Sequence, residues 1–168
     1  AIEDITETIA AVAIQGPTSR DILKQLTDVD MDSLAYYRVA AGKIGGLDAH
    51  ISRSGFTGDL GYEIWVENSA ALALWDGLMS AGKPYLLQAA GLDVLDITRV
   101  EAGLILNGVD FHNAEHCLIE SQKSSPFELN LGWTIDLDRD PFSGQRALKA
   151  ELASGSQHAL VGLELDWD

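Results

Sequence analysis

One cysteine, Cys117, stands among the 168 residues. No disulfide can form within the chain, so the fold must rest on its packed core. A reducing compartment is the simpler expectation, and with it a cytoplasmic location. Basic residues are also scarce: 11 Lys and Arg face 26 Asp and Glu, for a net charge of −15. A surface of that sign repels nucleic-acid phosphates and anionic membranes, so neither is expected as a partner. No apolar run reaches the length of a membrane-crossing helix, and no basic-then-apolar segment opens the chain. A Walker loop, a GxSxG elbow and a CxxC pair are all missing, as are internal repeats and low-complexity tracts.

What is present belongs to a core-forming chain. Hydrophobic residues make up 46 % and charged residues 22 %. Ile9 to Gln15 reads as a strand stopped by Gly16-Pro17, and Pro17 suits the first turn of a helix running to about Leu26. Tyr36 to Lys43 and Leu47 to Ser54 read as two strands joined by a Gly45-Gly46 turn. Ser69 is placed to cap a helix whose apolar face is Leu72, Trp75, Leu78 and Met79. A further helix is predicted from about Gln88 to Ala102, with Asp96 and Arg99 placed to pair on its surface. Leu131 to Leu137 and His158 to Leu165 read as strands, with a helix between them from Gly144 to Leu152. Strand hairpins mixed with helices predict an α+β fold with a mostly antiparallel sheet and packed helices. The opening has no Met, and the last strand pattern runs straight into Asp166-Trp167-Asp168; a fragment of a longer protein is the expectation.

The stretch that organises the chain is Arg53 to Val66, RSGFTGDLGYEIWV. Gly55, Gly58 and Gly61 fall three apart between two strand patterns. Phe56 and Tyr62 place rings around the turn, with Asp59 and Glu63 as carboxylates beside them. Such a loop can present a ring and an acid to a flat, hydrogen-bonding ligand. It can equally be a hairpin loop with an exposed Asp and a satisfied Glu, because glycine spacing alone is a weak signal. His112-Asn113-Ala114-Glu115-His116 spells the inverted zinc-protease pattern, but that reading needs a helix and a third ligand, and nothing in the sequence points to either. Gly42 to Gly46 holds a Lys yet lacks the strand–loop–helix context of a phosphate cradle, and reads as a hairpin.

Four stretches carry weight together. They are Ala13-Ile14-Gln15-Gly16-Pro17; Ser52 to Glu63; Arg99-Val100-Glu101-Ala102-Gly103-Leu104; and Leu131-Gly132-Trp133-Thr134 with Asp140-Pro141-Phe142-Ser143-Gly144. Their order and spacing resemble the aminomethyltransferase family, which comprises the T protein of the glycine cleavage system and relatives such as tetrahydrofolate-dependent demethylases. The resemblance spans nearly the whole chain. It implies part of a three-domain cloverleaf: a folate-binding α+β domain over 1–155, incomplete at its N-terminus, and the start of a C-terminal barrel domain over 156–168. It implies a folate-dependent one-carbon (aminomethyl or methyl) transferase with tetrahydrofolate as cofactor, a small-molecule one-carbon donor, and an unidentified carrier or dehydrogenase partner protein. A non-catalytic folate-binding or regulatory protein on the same fold is the alternative.

The resemblance also implies site residues. The carboxylate of Glu63 would accept two N–H donors from the pterin edge, and Phe56 would lie beside the ring. Asp59, Tyr62 and Arg53 are the further candidates. Two departures stand out. Leu95 occupies the position at which the family carries a folate-site Arg, four residues before Arg99. The family's catalytic Asp lies upstream of the first matching stretch, and no residue here corresponds to it, so these 168 residues alone are expected to be inactive.

Overall fold

The computed structural model of the chain describes residues 2–166. Residues 167 and 168, the end of the segment assigned to a second domain, lie outside them, as does the first residue. The chain divides into two compact units, one ending at Leu104 and the other starting at Ile105.

The first unit is an antiparallel sheet with two helices packed on one face. Its strands are β1 (Ile9–Gln15), β2 (Val39–Ile44), β3 (Leu47–Ser52) and β4 (Gly61–Glu67), in the order β1-β4-β3-β2. β2 and β3 form the expected hairpin. Gly45 and Gly46 both take positive φ, +56° and +85°, as a two-residue turn that matches strand twist requires. Three helices follow the sequence pattern more loosely: α1 (Ser19–Leu23), α2 (Ala71–Gly82) and α3 (Leu92–Glu101). α1 and α2 pack against β1 and β4.

Strand alternation sends Ile14, Ile44, Ile51, Tyr62, Ile64 and Val66 into one core, where they meet Ile22, Leu23, Met31, Leu74 and Leu78. Each large side chain buried there contributes about 1.5–3 kcal/mol over an exposed one. The same alternation puts Ala11, Ala13, Glu63, Trp65 and His50 on the opposite face, since Ala13 pairs with Glu63, Ala11 with Trp65, and Trp65 with His50.

Several expectations need correction. The buried stripe of α2 is Leu74, Leu78 and Gly82; Leu72 is 71 % exposed and Trp75 42 % exposed, because the helix is rotated relative to the predicted face. Ser69 does not cap it: residues Asn68–Ala70 form a single 3₁₀ turn, and no side chain caps the helix that follows. α1 stops at Leu23, and turn hydrogen bonds take over from there. Arg99 does pair with Asp96, at 2.8 Å, but its own side chain is buried rather than on the surface.

In the second unit, α4 (Gln145–Ser154) forms as expected between Gly144 and Gly155, both at positive φ. The two strands predicted around it do not form. Leu131 to Leu137 instead holds a 3₁₀ turn at Gly132–Thr134, where the Thr134 N–H and hydroxyl both donate to Leu131 O and Ile135 N–H donates to Gly132 O. His158 to Leu165 makes no strand among the described residues. Its backbone is tied at two residues: His158 N–H donates to Glu128 Oε1 at 3.2 Å, Leu160 N–H donates to Glu128 O at 2.7 Å, and Asn130 Nδ2 donates to Leu160 O at 2.9 Å. A strand needs a ladder of such bonds, and its apolar pattern alone supplies none.

Candidate functional site

Three of the four marked stretches meet at one place in the first unit, and the glycines are the reason. Gln15, the last residue of β1, turns its carboxamide onto the central loop. Its Nε2 donates to Ser54 O and to Tyr62 O, each at 3.3 Å, and its Oε1 accepts from Thr57 Oγ1 at 3.2 Å. The carboxamide lies so close to Gly55 and Gly61 that a Cβ at either would overlap it. Neither glycine has a left-handed φ. They are glycine because another side chain occupies the space, not because the backbone turns sharply. Gly16, at φ +115°, then closes the corner: its N–H donates to Leu60 O at 2.8 Å.

Arg99 to Leu104 turns out to be a helix ending. Gly103 takes φ +72°, its N–H donates to Val100 O at 2.9 Å, and Leu104 N–H donates to Arg99 O at 2.8 Å. That is the paired bonding of a Schellman cap, with glycine where the left-handed residue belongs. Arg99 Nη1 adds a bond to Leu104 O at 3.2 Å. The capping residue Ala102 packs on Gly58, itself at φ +77°, where a Cβ would run into Ala102 Cβ. Helix end and loop are therefore fitted to each other.

The predicted residues are not all brought together. Glu63 is half-buried on the open face of the sheet, between Ala13 and Ser52, and its Oε2 accepts from Ser54 Oγ at 2.5 Å. Tyr62 points the other way. Its ring is fully buried in the core, and its hydroxyl accepts from Arg20 Nε at 2.9 Å. Neighbouring positions on a strand cannot share a ligand on one face. Phe56 is half-buried in the loop. Asp59 is exposed, and its carboxylate accepts the N–H of Leu60 at 2.6 Å. Arg53 donates from Nη1 to Leu34 O at 3.3 Å, while its Nε is buried without a hydrogen-bond partner among the described residues.

Two cavities flank the loop. One of about 270 Å³ is lined by Tyr36, Arg53, Gly58, Asp59 and Leu104. A cleft of about 880 Å³ lies beside β1, α2 and α3 and is lined by Val12, Ile14, Gln15, Trp75, Leu78, Asp59 and Leu95. Asp59 borders both; Glu63 borders neither and opens on the sheet face instead. Leu95 contributes apolar surface and no donor. Gln15, Ser52 and Ser54 were not singled out by sequence reasoning. The signal available was the pair of glycines at 55 and 61, which announces a close approach without saying by what.

His112 forms a lone bridge with Lys123, and Glu115 and His116 lie in a turn, so the two histidines do not share a helical face. His116 Nδ1 is 2.8 Å from Asn113 Oδ1. No group of three or more His, Cys, Asp or Glu that could hold a metal ion is gathered among the described residues, and no helix there is long and apolar enough to cross a membrane.

Comparison with known proteins decides the family. Residues 1–139 match the GCVT N-terminal domain. The chain belongs to the aminomethyltransferase family. It is 38 % identical over 160 residues to an aminomethyltransferase of Halothermothrix orenii, covering 95 % of this chain and 42 % of that one. It is 37 % identical over 165 residues to an aminomethyltransferase of Caldanaerobacter subterraneus subsp. tengcongensis, covering 98 % and 42 %. The chain thus spans about two fifths of the length of these family members. The crystal structure of glycine cleavage system aminomethyltransferase T from Bartonella henselae superposes with a TM-score of 0.52 at 18 % identity, over 90 % of this chain and 63 % of that one, and so shares its fold. The α+β fold with its antiparallel sheet is that of the aminomethyltransferase family.

Proposed function

We propose that the protein is a tetrahydrofolate-dependent one-carbon transferase that moves an aminomethyl or methyl group, with Glu63 as its pterin-binding carboxylate. The observation that carries this reading is the convergence of three family stretches on the loop that presents Glu63. Gln15 and the helix end at Ala102 brace that loop. A half-buried carboxylate on an open sheet face, with one bond from Ser54 and lone pairs to spare, fits a flat ring edge with two N–H donors. Phe56 offers an apolar ring in the same loop.

When bound, tetrahydrofolate supplies the nucleophilic amine that takes up the one-carbon unit. The part of these residues is to bind and orient it, which converts an encounter between two molecules into a reaction within one complex. The one-carbon donor is a small molecule, an amine, ether or sulfonium compound, and an unidentified carrier or dehydrogenase protein is the partner. A cytoplasmic location belongs to the same proposal and suits a chain with a single cysteine.

The test is titration of tetrahydrofolate into the full-length protein, wild type beside Glu63→Ala. Loss of a hydrogen bond to a charged group, about 1.5–3 kcal/mol, weakens binding roughly ten- to a hundredfold. Equal affinity in the two proteins would remove Glu63 from the site.

A further inference from the structure

The carboxylate of Glu63 is held by an ordered chain of hydroxyls. Ser54 Oγ donates to Glu63 Oε2 at 2.5 Å, and Ser52 Oγ is hydrogen-bonded to Ser54 Oγ. An ionised carboxylate only accepts, so the single Ser54 proton must go to Glu63. The Ser52 proton then goes to Ser54. The direction of the chain is fixed as Ser52 to Ser54 to Glu63. Ser52 is 4 % exposed, so the far end of the chain is shielded from water.

The backbone is clamped as well. Gln15 Nε2 bonds Ser54 O and Tyr62 O, the carbonyl of the donor residue and that of the residue just before the acceptor. One carboxamide therefore sets the spacing between the two partners. Its own position is set by Thr57 and by the absence of a Cβ at Gly55 and Gly61.

We propose that Ser54 is the positioning residue for Glu63, aiming its carboxylate before a ligand arrives, with Ser52 and Gln15 holding Ser54. One lone pair of Oε2 is filled by the hydroxyl, and those remaining are left for N–H donors on a planar ligand edge. A carboxylate free to rotate would lose that freedom on binding, and the hydroxyl removes part of the loss in advance. This inference rests on Glu63 binding the folate ring.

The experiment is a double-mutant cycle in the full-length protein, with tetrahydrofolate as the titrant and thermal melts alongside. The proteins are wild type, Ser54→Ala, Ser54→Thr, Glu63→Ala and the Ser54→Ala/Glu63→Ala double variant. Ser54→Ala is expected to bind about five- to twentyfold more weakly. Ser54→Thr keeps the hydroxyl and is expected within about twofold of wild type. In the Glu63→Ala background, Ser54→Ala is expected to have no further effect, because the group it acts through is gone. A structural role would not be restored by Thr and would persist without Glu63. Ser54→Ala binding as wild type, or an equal loss with and without Glu63, overturns the inference while leaving Glu63 in place. Glu63→Ala binding as wild type overturns the folate reading, and this inference with it.

Discussion

Gly61→Ala is the sharpest probe of the architecture. Gly61 pairs with Gln15 across β1 and β4. A Cβ at position 61 would sit 2.6 Å from Gln15 Nε2 and closer still to Oε1. The backbone of Gly61 does not need glycine's left-handed region, so the whole effect must come from displacing the carboxamide. Because that group ends a flexible side chain, the clash is relieved by rotating it away. The cost is then the three hydrogen bonds it makes, with Ser54 O, Tyr62 O and Thr57 Oγ1. At about 1 kcal/mol each they total about 3 kcal/mol. Alanine in place of glycine within a strand returns about 0.5–1 kcal/mol. The expected net destabilisation is therefore about 2 kcal/mol, read as a shift in urea midpoint at constant slope. The decisive control is Gln15→Ala. On that background the clash partner is absent, and Gly61→Ala should be neutral or slightly stabilising. Additive losses in the double variant, or a neutral Gly61→Ala alone, would refute the claim that Gln15 dictates the glycine.

Two further predictions concern other parts of the chain. Glu128 accepts from Ser125 N–H at 3.1 Å and from His158 N–H at 3.2 Å, with His158 Nδ1 at 3.3 Å. These bonds, the Ser125 amide foremost, hold its carboxyl below the ordinary 4.5. A depressed folded-state value means the unfolded chain binds more protons, so the stabilisation is full above the unfolded value and fades as pH falls through the folded one. Glu128→Gln should thus melt below wild type at pH 7, with the gap narrowing below about pH 4; a gap that does not change with pH would contradict it. Leu95→Arg places a guanidinium on the wall of the larger cleft, where Leu95 is 37 % exposed. Because Glu63 borders neither cavity, tetrahydrofolate affinity is expected to stay within about twofold of wild type; a salt-sensitive gain of about tenfold would place the ligand in the cleft rather than at the open face.

Much of the first unit was legible in order along the chain. Strands of alternating apolar residues, a Gly-Gly turn and a Gly-rich loop are local patterns, and each is governed by bonds between near neighbours. β1, the β2–β3 hairpin and β4 follow from them. Glu63 came from the resemblance, which set Tyr62 beside it as a further candidate. The apolar runs at Leu131 and at His158 misled because a strand is completed only by a partner, and no ladder forms there.

The α+β class, the family and the loop worth attention rest on residue order and periodicity, and so could be read along the chain. Tertiary structure alone decided which residues act together. It put Tyr62 in the core and Glu63 on the open face, and it brought Gln15 against Gly55 and Gly61 from 40 and 46 positions away. It also seated Ala102 on Gly58 and strung Ser52 and Ser54 behind the carboxylate. The physical reason is that a glycine records only that space is taken. Which side chain takes it is set by packing between distant segments, and no local pattern carries that information.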